Sequence, residues 1–96
     1  MPMKDPPHPG ESVLLLCLEP LDLSIADAAA HLEVDEAYLG ALCEGWAAIN
    51  ADLAIRLEQA FGGTADVWMR MQACYDLAQM RLKSDHIQVK PIGSAA

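Results

Sequence analysis

The sequence predicts an all-α domain of five short helices, the second and third joined by a tight turn into a helix-turn-helix. Three observations carry that expectation. Hydrophobic residues make up 53% of the 96 positions but aromatics only 5%, so the core must be built from Ala, Leu, Ile, Val and Met, the composition of packed helices. Four polar residues with strong N-cap preference, Ser24, Asp35, Asn50 and Thr64, each stand in front of an apolar run spaced at three and four residues. The stretch "LSIADAAAHLEVDEAYLGALCEGWAAIN" holds two such runs separated by only a few residues, which is the spacing of a helix-turn-helix. Ninety-six residues suffice for one core and no more.

Residues 1–8, "MPMKDPPH", are rich in proline and read as a flexible arm. The helical domain is expected over 9–83. Helix one starts on Pro9, whose missing N–H is harmless in the first turn, with Glu11 beside the positive end of the helix dipole. Pro20 should stop it near Glu19.

Ser24 caps helix two, with Asp27 three residues on as a variant capping box, and Ala28, Ala29 and Leu32 facing inward. Asp35 caps helix three, whose inward residues are Leu39, Leu42 and Cys43, and Gly45 ends it as a left-handed residue. The two helices span 24–32 and 35–44. Asn50 opens helix four, with Leu53, Ala54, Leu57 and Phe61 on one side. "GGT" breaks the chain and Thr64 caps helix five, "ADVWMRMQACYDLAQMRLK".

Helix five carries apolar residues on more than one side, Trp68, Met71, Tyr75 and Met80 beside Val67, Cys74 and Leu77. One small core cannot absorb them all, so a homodimer is expected. Its candidate interface residues are Trp68, Met71, Gln72 and Tyr75, with Ile87 and Val89 from the tail. In that tail, 84–96, the alternation of Ile87, Val89 and Ile92 with polar residues fits an edge strand over 86–92, confined to an edge by Pro91. "GSAA" reads as a frayed end.

Several functions are excluded. The longest apolar run, "SVLLLCL", is far below the ~18–20 residues of a membrane span and has no basic lead-in. Cys17, Cys43 and Cys74 are odd in number and lie at apolar helix positions, as buried free thiols of a cytoplasmic protein do. His8, His31 and His86 lie in separate elements without metal-ligand spacing, so no metal or cofactor is expected. His8, in "HPG", reads as a cap or packing residue. No nucleophile-base arrangement or phosphate loop is present, and no catalytic residue is assigned.

The charge is unevenly placed. Residues 1–55 carry ten carboxylates against Lys4 alone, while 56–96 carry five cations against four carboxylates, and the chain totals −8. The first half should repel a phosphate backbone and attract a basic protein.

"PPHPGE", the helix-turn-helix "S…AAAHLEV…LGALCEG", and "FGGTADVWMRMQACYDL" occur in that order. Together they resemble HigA-type antitoxins, the Xre/Cro (lambda-repressor-like) helix-turn-helix proteins also known as virulence-associated protein I or plasmid-maintenance antidotes. The likeness covers about residues 6–80, and its most specific part runs from Phe61-Gly62 through Trp68, Gln72, Tyr75, Asp76 and Leu77. The resemblance implies a homodimer that neutralises a basic ribonuclease toxin and represses its own operon. DNA contact would fall to Ser24, Asp35, Glu36, Ala37, Tyr38, Gly40 and Ala41.

Those positions depart from the family pattern. Relatives open the recognition helix with Ser, Thr, Arg or Asn, and follow it with a basic turn; here stand Glu36-Ala37-Tyr38 and Gly45-Trp46-Ala47. Glu33 occupies a linking position that is often Gly. Since a specific complex commonly uses ~6–10 cationic phosphate contacts, operator contact is expected to be weakened. Glu36, Glu44 and Trp46 become candidates for a protein partner, Trp46 being either a lid on the core or an exposed anchor. An ordinary sequence-specific regulator and a protein-interaction module without DNA binding are the alternatives.

Overall fold

The computed structural model describes residues 6–93; the expectations for the first five residues of the arm and for the terminal Ser-Ala-Ala lie outside them. The described residues form five α-helices: α1 (Pro9–Val13), α2 (Ile25–Leu32), α3 (Glu36–Cys43), α4 (Ala51–Phe61) and α5 (Ala65–Leu82). None is long and apolar enough to cross a membrane among the described residues.

Each N-terminus is closed by a side chain that satisfies an otherwise orphaned amide. His8 Nδ1 accepts from Gly10 N at 2.9 Å, Ser24 Oγ from Asp27 N at 3.0 Å, and Asp35 Oδ2 from Tyr38 N at 3.3 Å. Asn50 Oδ1 accepts from Leu53 N at 2.8 Å, and Thr64 Oγ1 from Val67 N at 3.3 Å.

Three C-termini share one device, a left-handed residue whose N–H and whose successor's N–H bond back to the last turn. The first is Asp22 (φ 55°), with Asp22 N to Glu19 O and Leu23 N to Leu18 O, both 3.0 Å. At Glu33 (φ 58°) the bonds run from Glu33 N to Ala30 O, 3.3 Å, and from Val34 N to Ala29 O, 3.0 Å. Only the third left-handed residue, Gly45 (φ 87°), is a glycine.

The first helical segment runs past its expected stop. After Val13 it widens into a π turn over Leu14–Leu18, with Glu19 N bonding Leu14 O, and then tightens into a 3₁₀ turn over Glu19–Leu21. Pro20 sits at the start of that last turn, where its missing donor is no loss. The widened turn leaves Leu15 and Leu16 exposed while Cys17 and Leu18 are buried.

The core is one cluster in which Val13, Leu18, Leu39, Leu42, Leu53 and Leu57 are 0 or 1% exposed, closed by Trp68 of α5. α1 meets α3 with no gap. A Cβ built on Gly10 would lie 1.8 Å from the Leu42 carbonyl oxygen, so only glycine fits there.

No strand occurs among the described residues. Ser84–His86 forms a 3₁₀ turn, and Ile87, Val89 and Ile92 stand exposed on irregular chain. Alternating apolar residues become a strand only beside a partner edge, and this helical domain offers none.

Candidate nucleic-acid and partner interface

The helix-turn-helix is held from behind by α4. Arg56 Nη1 donates to the carbonyls of Leu32, 2.9 Å, and Glu33, 3.3 Å, which are left free at the C-terminus of α2. Its Nε pairs with Asp52 Oδ1 at 2.5 Å. Arg56 is the first cation after Lys4, and its Nε and Nη1 donors are engaged within the fold. The Asp52/Arg56 spacing of four residues was readable in the sequence, but the reach to α2 was not.

Ser24, Asp35, Glu36 and Ala37 are exposed around the N-termini of α2 and α3. Tyr38, Gly40 and Ala41 are half-buried. The Tyr38 hydroxyl donates to Ala48 O at 2.6 Å. Burial, above all, raises the Tyr38 phenol above its ordinary value; the nearby Asp52 charge pushes the same way, and the backbone of Asn50 opposes in part. The space beyond Gly40 holds the Ile25 side chain of α2, 3.8 Å from where a Cβ would lie. The outward tip of the recognition helix is therefore Asp35-Glu36-Ala37, two carboxylates and a methyl group.

The turn after α3 is fixed at several points. Gly45 N bonds Leu42 O at 3.0 Å and Trp46 N bonds Ala41 O at 2.8 Å. Further on, Tyr38 holds Ala48, and Ile49 is buried with its N–H donating to Gln72 Oε1 at 2.8 Å. The other end of Gln72, Nε2, donates to Asp76 Oδ1 at 2.8 Å. Trp46 projects from this turn at 82% exposure. It is not a lid on the core.

The α5 candidates divide. Trp68 and Gln72 are 8% and 5% exposed and belong to the domain's own core, with Gln72 fastening the α3–α4 connection. Met71 and Tyr75 are half-buried, the Tyr75 ring meeting His8 edge to face with centroids 4.7 Å apart. An apolar groove of about 700 Å³ remains on the outer side of α5, lined by Val67, Met71, Cys74, Leu77 and Leu82 with Pro6 and Pro7. Cys74 is thus exposed, not buried as its apolar setting suggested; Cys17 is buried and Cys43 half-buried. Gln72 stood out in the sequence as an interface candidate and as part of the resemblance, but nothing local announces its bond to Ile49.

No protein-family model matches the chain. Virulence-associated protein A of Dichelobacter nodosus is 37% identical over 91 residues, covering 94% of this chain and 88% of that protein. An addiction module antidote protein of the HigA family from Coxiella burnetii superposes with a TM-score of 0.80 at 35% identity, covering 91% of this chain and 98% of the other. Antitoxin HigA of Pseudomonas aeruginosa, solved with the higBA promoter, gives 0.82 at 32% identity, covering 92% and 99%. Matched over nearly the whole of its length by these relatives, the chain belongs to the HigA family of helix-turn-helix antitoxins.

Proposed function

We propose that this protein is a homodimeric antitoxin that masks a basic toxin and regulates its own promoter, and that its helix-turn-helix holds operator DNA weakly without help from a partner. Solved relatives bound to promoter or operator DNA support the regulatory half. The weakening rests on one observation. The tip of α3 presents Asp35, Glu36 and Ala37, and the first cation beyond it, Arg56, is engaged with Asp52, Leu32 and Glu33.

Counterion release by Lys and Arg supplies much of protein–DNA affinity. A face without cations forgoes that gain and adds repulsion. Electrostatics then favour a basic protein, whose approach is accelerated by the same field.

The dimer is supported by the groove on α5 and by the exposure of Leu77 and Leu82 along it. A surface of this kind is rare on a monomer.

Anisotropy titration of the protein's own upstream duplex against salt tests the reading. Weak binding is expected at physiological salt, tightening when the neighbouring gene product is added. Replacing Glu36→Arg and Ala37→Arg together should strengthen binding and steepen the decline of log K with log salt by roughly one unit per new phosphate contact. Nanomolar binding by the unmodified chain alone would restore the plain repressor.

A further inference from the structure

An indole left in water forfeits the burial that makes tryptophan worth having, and large apolar side chains standing clear of a fold mark contact surfaces. Trp46 is 82% exposed, yet the backbone beneath it is fixed. Its own N–H and that of Gly45 close the end of α3 on Ala41 and Leu42. Two and three residues later the chain is tied to Tyr38 and Gln72, and Ile49 is 3% exposed. A side chain with two rotatable bonds on an immobile turn loses little freedom when it is covered, so more of its contact energy survives as affinity.

We propose that the Trp46 turn is a preformed anchor for a protein partner whose surface combines an apolar pocket with a basic rim. Charge identifies the occupant. Glu44 is exposed on the same turn, and Asp35 and Glu36 are exposed at the other end of α3. No Lys or Arg occurs between Asp5 and Ile55. A duplex laid on this turn would bring phosphates against Glu44 with no cation in the turn to receive them, whereas Lys and Arg around a pocket would meet carboxylates on approach. The inference rests on the antitoxin reading above, with the toxin as the basic partner, and adds where that partner sits.

The test uses the full chain and the purified protein encoded beside its gene, titrated by calorimetry. The variants are Trp46→Ala, Trp46→Phe, Glu44→Lys and, as a control on the exposed π turn that follows α1, Leu16→Ser. Trp46→Ala should weaken the complex by about thirtyfold or more, as loss of an interface anchor does, and leave the thermal midpoint of the free chain unchanged. Trp46→Phe should recover part of the loss, and Glu44→Lys should slow association and flatten its salt dependence. Affinity within about twofold of wild type for Trp46→Ala would overturn the inference and leave the antitoxin reading intact, and so would a loss confined to Leu16→Ser. If Trp46→Ala instead loses affinity for the upstream duplex, the turn is a DNA contact and the inference fails. Absence of any complex with the unmodified chain would overturn both.

Discussion

The side-chain oxygen of Gln72, in the middle of α5, accepts the backbone N–H of Ile49 at 2.8 Å, across 23 residues of sequence. Both groups are buried, so no water can replace the bond. Gln72→Leu keeps the volume but leaves the Ile49 amide without a partner, a loss of about 1–3 kcal/mol. Urea unfolding should show it. Amide exchange at Ile49 should rise more than at Leu39 or Leu42, because the defect is local.

Gly10 has no room for a methyl group, since the obstacle is the Leu42 carbonyl and not a movable side chain. Gly10→Ala should separate α1 from α3 and destabilise the fold by at least about 3 kcal/mol. Gly40→Ala provides the contrast. Its new Cβ would meet Ile25 Cγ2 at an ordinary 3.8 Å, and helix propensity favours alanine, so stability should hold or rise.

Tyr38 sets an alkaline limit. Its folded-state value lies above the ordinary 10.0, chiefly through burial. An unfolded chain therefore loses the phenolic proton first. The stability linked to this proton is complete below pH 10 and lost as pH rises through the folded value. Urea midpoints measured from pH 8 to 11 should fall along the alkaline limb. Tyr38→Phe should flatten that fall, at a cost of about 0.5–1.5 kcal/mol below it for the bond to Ala48.

The three thiols should separate by reactivity. Burial, chiefly, raises Cys17 and Cys43 above the usual value, with the Cys43 charge adding at Cys17 and Glu44 adding at Cys43. Less thiolate and less access both slow them. A disulfide reagent at pH 8 should modify Cys74 first in dilute solution and the other two only on unfolding. Cys74→Ser should abolish the fast phase. Because Cys74 lines the α5 groove, the fast phase should also fade as concentration rises if a second chain covers it.

The same groove yields a direct test of the dimer. Leu77 is 55% exposed, so Leu77→Glu leaves the monomer core untouched and places a charge in the proposed contact. Sedimentation equilibrium at tens of micromolar should change from dimer to monomer with the helical circular dichroism retained. A wild-type monomer under those conditions would remove the dimer from the functional reading.

What was legible in the sequence was mostly local. Ser24, Asp35, Asn50 and Thr64 announce their helices because a cap needs only a short polar side chain and the three residues after it. Gly45 announces an end for the same reason. Long-range matters were hidden. Whether Trp46 covers the core or stands free depends on the direction of a turn closed by Ala41, Tyr38 and Gln72, and no pattern within the turn encodes it. Trp68 and Gln72 share the spacing of an interface face, yet α5 rotates them onto α4 and the α3–α4 connection. The tail misled because alternation is necessary for an edge strand but does not supply the neighbouring edge.

Trp46 and Trp68 are the two indoles of the chain, one 82% and the other 8% exposed. They therefore form two optical channels without any label. Emission from Trp46 should be red-shifted and open to iodide quenching, while that from Trp68 should be blue-shifted and shielded until the core opens. Contact at the α3–α4 turn would alter the first signal with the second unchanged, and loss of the fold would move the second. Occupancy and unfolding can thus be followed separately in one cuvette.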